Sequence, residues 1–268
     1  MLQWDEANRS WLVTIFSLPV VLSLVMVGVK IYAPQAYHNL IQEDSLLENL
    51  QFYFYLAAGG MSLWAAVGFR RAGLARHAGA ALMLGLVLLV VAVEEISWGE
   101  RLLGFQAPAF FVQYNVQHEM TLHNLKPVQS CLQVMYMLVG LGLSLGWLVV
   151  GKILTRPGLP PVARSLLACF TPPWPLTFYF LPVFLVYSYF VWGHVLLAAV
   201  FGGDGFAIGR VIIWRDQEPA ELLLALGCLV WAGRLACVHQ LSHQAPGRLR
   251  TKTEGQKIAI IHGDQPKV

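Results

Sequence analysis

Two adjacent carboxylates, Glu94 and Glu95, close the apolar stretch "VAVEEISWGERLLG" at 91–104. A charge within a membrane span costs at least about 2.5 to 3.5 kcal/mol and usually faces a cavity or a partner. A helix C-terminus also disfavours anions. Two carboxylates there call for a cation, a proton or a water-filled cleft, and so suit a general base or a metal ligand. On one continuous helix, Glu94, Ser97 and Arg101 share a stripe at i, i+3 and i+7, with Glu95 displaced toward Trp98 and Leu102. Arg101 can then neutralise Glu94, which leaves Glu95 without an explanation.

The following stretch, "NVQHEMTLHN" at 115–124, adds imidazoles. If it is helical, Glu119 and His123 face the same way at i, i+4, and His118 lies one position before Glu119. Imidazole and carboxylate at that spacing act as an acid–base pair, or His118, Glu119 and His123 hold a divalent metal. Glu48, Glu218 and Glu221 open the second and sixth apolar spans, where acids suit the helix N-terminus, so they read as structural unless they converge on Glu94. His194 is a single intramembrane histidine, of a kind more often packed than ligating. His239 and His243 fall at the other end of the bundle, across about 30 Å of bilayer.

Other chemistries leave no trace. There is no HExxH, Walker loop or Rossmann glycine pattern, and no basic stretch interleaved with aromatics that would suit nucleic acid. Cys131, Cys169, Cys228 and Cys237 match neither a zinc site nor a redox CxxC, and read as small apolar residues.

The elements that position these residues are membrane helices. The chain has 268 residues, 57% hydrophobic and 12% charged, with a mean hydropathy of +0.58; soluble domains carry about 25% charged residues. Six segments meet the length of about 20 apolar residues that a span needs: Trp11–Tyr32, Leu46–Phe69, Ala78–Trp98, Val128–Val150, Leu176–Phe201 and Pro219–Val238. Pro182 falls inside the fifth, and Gly142-x-x-x-Gly146 in the fourth suits close helix packing. The expected organisation is an all-α transmembrane domain over 1–243, then a polar tail over 244–268. The polar, acidic start before Trp11 is not that of a cleavable signal peptide.

With the N-terminus placed inside, 13 of the 18 Lys and Arg lie inside, and Lys30, Arg101, Lys126, Arg210 and Arg215 lie outside. Positive charge marks the cytoplasmic side, so both termini are expected there. Of the 15 acids, 11 lie outside or in the outer half of a span. The polar chemistry therefore gathers at the outer face.

The run Glu94, Glu95, Ser97, Trp98, Gly99 and Arg101, followed by Pro108, Asn115, Gln117, Glu119, His123 and Asn124, resembles a family of uncharacterised bacterial multi-pass membrane proteins. Its signature is EEISWG(Q/E)R…NxQxExxxHN. "EDSLLE" at 43–48 is similar to the family's EDGxxE entry to the second helix, with Ser45 where glycine is usual. The resemblance covers about a third of the chain, implies a bacterial inner membrane, and groups these residues into one unit; it carries no activity with it. A looser similarity to membrane hydrolases of the alkaline ceramidase and adiponectin-receptor type is opposed by six spans rather than seven, and by the His239/His243 pair at the opposite end.

These residues lead to the expectation of a membrane-embedded enzyme acting at the outer leaflet on a lipid or polyprenyl-linked substrate, with or without a divalent metal. Glu94, Glu95, Glu119 and His123 would carry catalysis. Ser97, Arg101, Asn115, Gln117, Asn124, His194 and Glu48 would contact substrate, with Arg101 on an anionic head group. Membrane lipids, and a membrane-protein partner, are the expected company. The alternatives are an accessory subunit whose polar cluster locks helices or docks a partner, and a cation or proton transporter.

Overall fold

Helix starts and stops follow local chemistry. The computed structural model describes residues 9–42, 45–193 and 214–237, of which 9–12, 101, 102 and 214 are described in backbone only. Helix α1 is Arg9–Tyr32, α2 is Pro34–Leu40 and α3 is Leu46–Arg71. Ser45 caps α3 by accepting from the Leu47 amide at 3.2 Å. Helix α4 is Ala75–Glu95, followed by a 3-10 turn at Ser97–Gly99, α5 at Glu100–Leu103 and α6 at Ala109–Tyr114. Helix α7, Lys126–Leu154, starts with Pro127 where a missing amide hydrogen costs nothing. Helix α8 is Pro161–Phe170, and α9, Thr177–Ser188, passes through Pro182 into a π turn at Tyr189–Gly193. The last, α10, is Gln217–Cys237.

Six helical stretches are long and apolar enough to cross a membrane. The expected spans are therefore present with shifted ends. The largest shift matters most: α4 stops at Glu95 rather than running to Trp98, so the two carboxylates are its last residues. The fifth and sixth expected spans end at positions outside the described residues, as does the whole of the expected tail. Among the described residues there is no strand, only an isolated bridge pairing Asn115 with Leu125.

The core is built by α3, α4, α9 and α10, whose buried faces bring together Tyr55, Phe69, Leu88, Tyr179, Phe180, Leu224 and Leu235. Opposite faces carry Leu24, Trp64, Met83 and Val149, each more than half exposed. Exposed apolar faces of that extent are compatible with a lipid environment. Small residues set the closest approaches. A methyl at Gly59 would lie 3.2 Å from the Gly85 carbonyl of α4, and one at Gly140 would lie 2.5 Å from the Phe184 amide nitrogen of α9.

Among the described residues, nothing outside their own helix lies within 4 Å of the space a side chain would take at Gly142 or Gly146, so the expected packing motif meets no described neighbour. The residue of α7 that makes the close contact is Gly140, two positions before Gly142. Gly140→Ala should therefore cost about 1 to 3 kcal/mol, since a backbone rather than a flexible side chain has to move. Gly142→Ala and Gly146→Ala should be neutral or slightly stabilising, as alanine is the better helix former. Melting temperatures in detergent check this, and equal losses at all three would show that the α7–α9 approach is misassigned.

At the end where α1, α2 and α10 meet, Asp216 gathers two donors. Lys30 forms an ion pair with it and the Tyr37 hydroxyl donates to its Oδ1 at 2.7 Å. Burial, then the bond to Asp216, holds the Tyr37 phenol above its ordinary range. This clamp fixes the first turn of α10 and with it Glu218 and Glu221.

Candidate functional site

The end of α4 is an unusual piece of backbone. Ser97, Trp98 and Gly99 have φ of +50°, +56° and +78° in succession. For a bulky residue such as Trp98 that region is strained, by roughly 1 to 3 kcal/mol, and persists only where surroundings enforce it. The enforcing groups are carboxylates. Trp98 donates from its indole nitrogen to Glu94 Oε1 at 2.5 Å, and Ser97 donates to Glu119 Oε2 at 2.5 Å.

The same Glu94 holds the 115–124 segment. Its Oε2 accepts from the Leu122 amide at 2.7 Å, the His123 amide at 3.2 Å and His123 Nδ1 at 3.1 Å. Glu100 works beside it, accepting from the amides of Ala107 and Met120, both at 3.0 Å. The segment is an irregular loop rather than a helix, so Glu119 and His123 do not share a helix face. Likewise, Glu94, Ser97 and Arg101 do not form a helical stripe, because the left-handed turn intervenes.

Asn115 explains why the loop is irregular. Fully buried, it donates from Nδ2 to the Thr121 carbonyl and hydroxyl, both at 2.8 Å, and accepts from the Gln117 amide at 2.7 Å. An asparagine that satisfies three backbone or hydroxyl groups in this way replaces the hydrogen bonds a helix would have made. Asn115 is thus an internal brace of the loop. Asn124 and Gln117 bond to each other through their side chains.

Behind this loop lies a cavity of about 60 Å³, enough for a few waters. Six glutamates line it: Glu48, Glu94, Glu95, Glu119, Glu218 and Glu221. Ser97, Gln117, His123 and Asn124 line it too, with Gln129, Gln133 and Tyr136 from α7 and Tyr187 from α9. The condition for reading Glu48, Glu218 and Glu221 as more than helix-start acids, convergence on the place where Glu94 sits, is met. Glu218 and Glu221 are 7% and 8% exposed. Glu218 accepts from Gln51 Nε2 at 3.1 Å, and Glu221 accepts from the Tyr187 hydroxyl. Tyr187 and Tyr136 stack with centroids 4.7 Å apart and planes 8° from parallel. Among the described residues no hydrogen bond reaches the Glu95 carboxylate.

A second, outer cavity of about 350 Å³ adjoins the first, and the two share Gln117, Asn124, Gln129, Gln217 and Glu218. His118 and Arg215 belong to this vestibule. The His118 ring sits with Nδ1 2.6 Å from the Val112 carbonyl, so that nitrogen carries the proton. His118 and His123 therefore line different cavities. Among the described residues no group of three His, Cys, Asp or Glu is arranged to hold a metal ion, and His118, Glu119 and His123 do not form the expected ligand set. His194 lies outside the described residues, as does the side chain of Arg101.

Sequence reasoning passed over Tyr136, Tyr187, Gln129, Gln133 and Gln217. One signal was available: Gln129, Gln133 and Tyr136 recur at i, i+4 and i+7 in an otherwise apolar helix, a polar stripe on one face. Tyr187 carries no such signal, because its neighbours in α9 are almost all apolar.

What these parts can do chemically follows from one pair. A carboxylate that accepts from His123 Nδ1 fixes the ring's tautomer and leaves Nε2 as the basic nitrogen. No hydrogen bond among the described residues occupies Nε2. The cavity's remaining carboxyls face one another across a small space, an arrangement that favours a shared proton or a counter-cation.

Six apolar helices around a polar cavity at one end are compatible with a multi-pass membrane protein carrying an internal polar site. No family model, curated protein or solved structure matches this chain.

Proposed function

We propose that the protein is a membrane-embedded enzyme whose site lies at the outer leaflet of a bacterial inner membrane. The observation that carries this reading is the Glu94–His123 pair on the wall of an acid-lined cavity. His123 acts as general base through Nε2, Glu94 orients it, and Glu95 supplies a carboxyl free to donate or accept a proton. Substrate reaches the cavity through the vestibule at Arg215 and is lipid-like, because the surrounding helix faces are apolar. Positive charge supports the orientation: 13 of 18 basic residues fall on the side opposite the site when both termini are cytoplasmic. The resemblance of the EEISWG…LHN segments supports the bacterial inner membrane.

A second reading, an accessory subunit, draws on a different observation. Glu94 and Glu100 accept from loop amides, and Glu119 of the loop accepts in return from Ser97, as bracing residues do. Lipid extracts from cells producing wild-type protein or the His123→Ala variant separate the two. The enzyme reading expects at least one lipid species to change with wild type and turnover to drop about 100-fold in the variant. Identical lipid profiles, with both proteins equally abundant in the membrane, would favour the accessory subunit.

A further inference from the structure

We propose that the end of the bundle opposite the acid-lined cavity binds the head groups of anionic phospholipids, at a patch built where α8 meets the α3–α4 turn. Helices α3 and α7 start beside the cavity, with Glu48 and Gln129, and end at this patch. Six basic side chains are exposed there: Arg70, Arg71, Arg76, Lys152, Arg156 and Arg164. Positive charge on one side is general among membrane proteins. That rule does not bring charges from separate helices to one place.

The convergence follows from a seam of rings and a hydrogen bond. The His77 ring of α4 has Nε2 2.9 Å from the Ser165 hydroxyl of α8. Phe69, in the last turn of α3, has its ring centroid 5.6 Å from that of His77 and 6.3 Å from that of Phe170 in α8. Basic residues stand beside this seam in the chain: Arg70 follows Phe69, Arg76 precedes His77 and Arg164 precedes Ser165. Arg164 also donates to the Arg156 carbonyl at 3.4 Å, which ties the stretch after α7 to the same place.

Among the described residues no acid pairs with any of these cations. No Asp or Glu occurs over 49–93 or over 126–193, the stretches that build this end. The sequence beyond Cys237 does not restore the balance, since it adds Arg248, Arg250, Lys252, Lys257 and Lys267 against Glu254 and Asp264. Like charges gathered without a counter-charge repel one another, and an external anion relieves that repulsion.

The helix faces leading to the patch select a lipid among anions. On α3, Trp64, Val67 and Arg71 stand at i, i+3 and i+7, with Trp64 64% and Val67 52% exposed. On α7, Leu145, Leu148 and Lys152 repeat that spacing, and both leucines are exposed. An exposed apolar stripe that ends in a cation matches an acyl chain that ends in a phosphate. A free phosphate or an acidic peptide would use the cation alone.

The test uses the full chain in dodecyl maltoside micelles, with thermal unfolding as the readout and one additive at a time. Phosphatidylglycerol is expected to raise the unfolding temperature where phosphatidylcholine does not, and the rise should shrink in concentrated salt. Arg76→Gln combined with Arg164→Gln should raise the half-effective phosphatidylglycerol concentration about tenfold or more, and the corresponding pair of lysine substitutions should keep the wild-type response. Lys126→Gln, which removes an exposed cation at the cavity end, should leave the response unchanged. Should the glutamine pair fail to fold, Arg71→Gln takes its place in the comparison. Equal stabilisation by phosphatidylcholine or by inorganic phosphate overturns the inference, as does a wild-type response in the glutamine variant. Polyglutamate acting as strongly as the lipid overturns it too, and assigns the patch to an acidic protein segment. None of these readings depends on turnover, so the proposal stands or falls separately from the enzyme.

Discussion

Glu94→Gln is expected to destabilise the protein by about 3 kcal/mol and to remove function with it. The carboxylate accepts four hydrogen bonds, one from Trp98 on Oε1 and three from Leu122 and His123 on Oε2. All four come from N–H groups. An amide at this position has to point its own NH₂ at one of these sets of donors. The cheaper orientation sacrifices Trp98, whose backbone is then left at φ +56° without the bond that holds it there. Bonds to a charged acceptor contribute about 1.5 to 3 kcal/mol each, and the remaining three weaken when the charge goes. Function falls because the His123 ring loses its orientation. Unfolding in detergent, together with loop accessibility by hydrogen exchange over 115–124, reads this result. An unchanged unfolding temperature would mean that Glu94 does not fasten the loop.

Glu95→Gln is expected to behave in the opposite way: stability kept or slightly raised, activity below detection. Glu95 sits one residue further along, at the last position of α4, and faces the same cavity. No hydrogen bond among the described residues reaches it, and five other glutamates share the space. Replacing a carboxyl that lacks a partner among the described residues lowers its repulsion with the other glutamates, and can stabilise a fold. An amide neither carries a proton at neutral pH nor serves as a base, so chemistry that passes through this carboxyl stops. The same two measurements, melting temperature and lipid turnover, should thus move together for Glu94→Gln and apart for Glu95→Gln. Full activity in Glu95→Gln would show that the cavity's chemistry runs through His123 without it.

The neighbouring glutamates illustrate how far sequence reading reaches. Both stand in one apolar run, and both demand an explanation by the cost of burial. Nothing in their spacing divides them into a loop anchor and an unpaired cavity acid. That division depends on where the 115–124 segment returns, which Asn115 decides by bonding Thr121 across the loop. The i, i+4 spacing of Glu119 and His123 is compatible with a helix over "NVQHEMTLHN". That helix does not form, because a buried asparagine competes for the backbone's hydrogen bonds. Similarly, a continuous helix through Trp98 fits the apolar pattern, while the left-handed turn is enforced by Glu94 and Glu119 from outside it.

Composition and periodicity alone determined that six stretches of this chain are long and apolar enough to cross a membrane, since the bilayer's thickness sets a length that can be counted. They also showed that acids concentrate toward one end of the helices, since alternation of spans sorts residues by side without knowledge of packing. Which of those acids meet, and what each does, was decided only by tertiary structure. Glu48, Glu95, Glu218 and Glu221 come from helices that begin or end more than a hundred residues apart in some pairs, and their faces converge only once α3, α4 and α10 have packed. Helical period tells which side of a helix a residue occupies, but not which neighbour that side will meet. The neighbour is chosen by close contacts such as Gly59 on Gly85 and Gly140 on Phe184, and these depend on the shape of both partners at once.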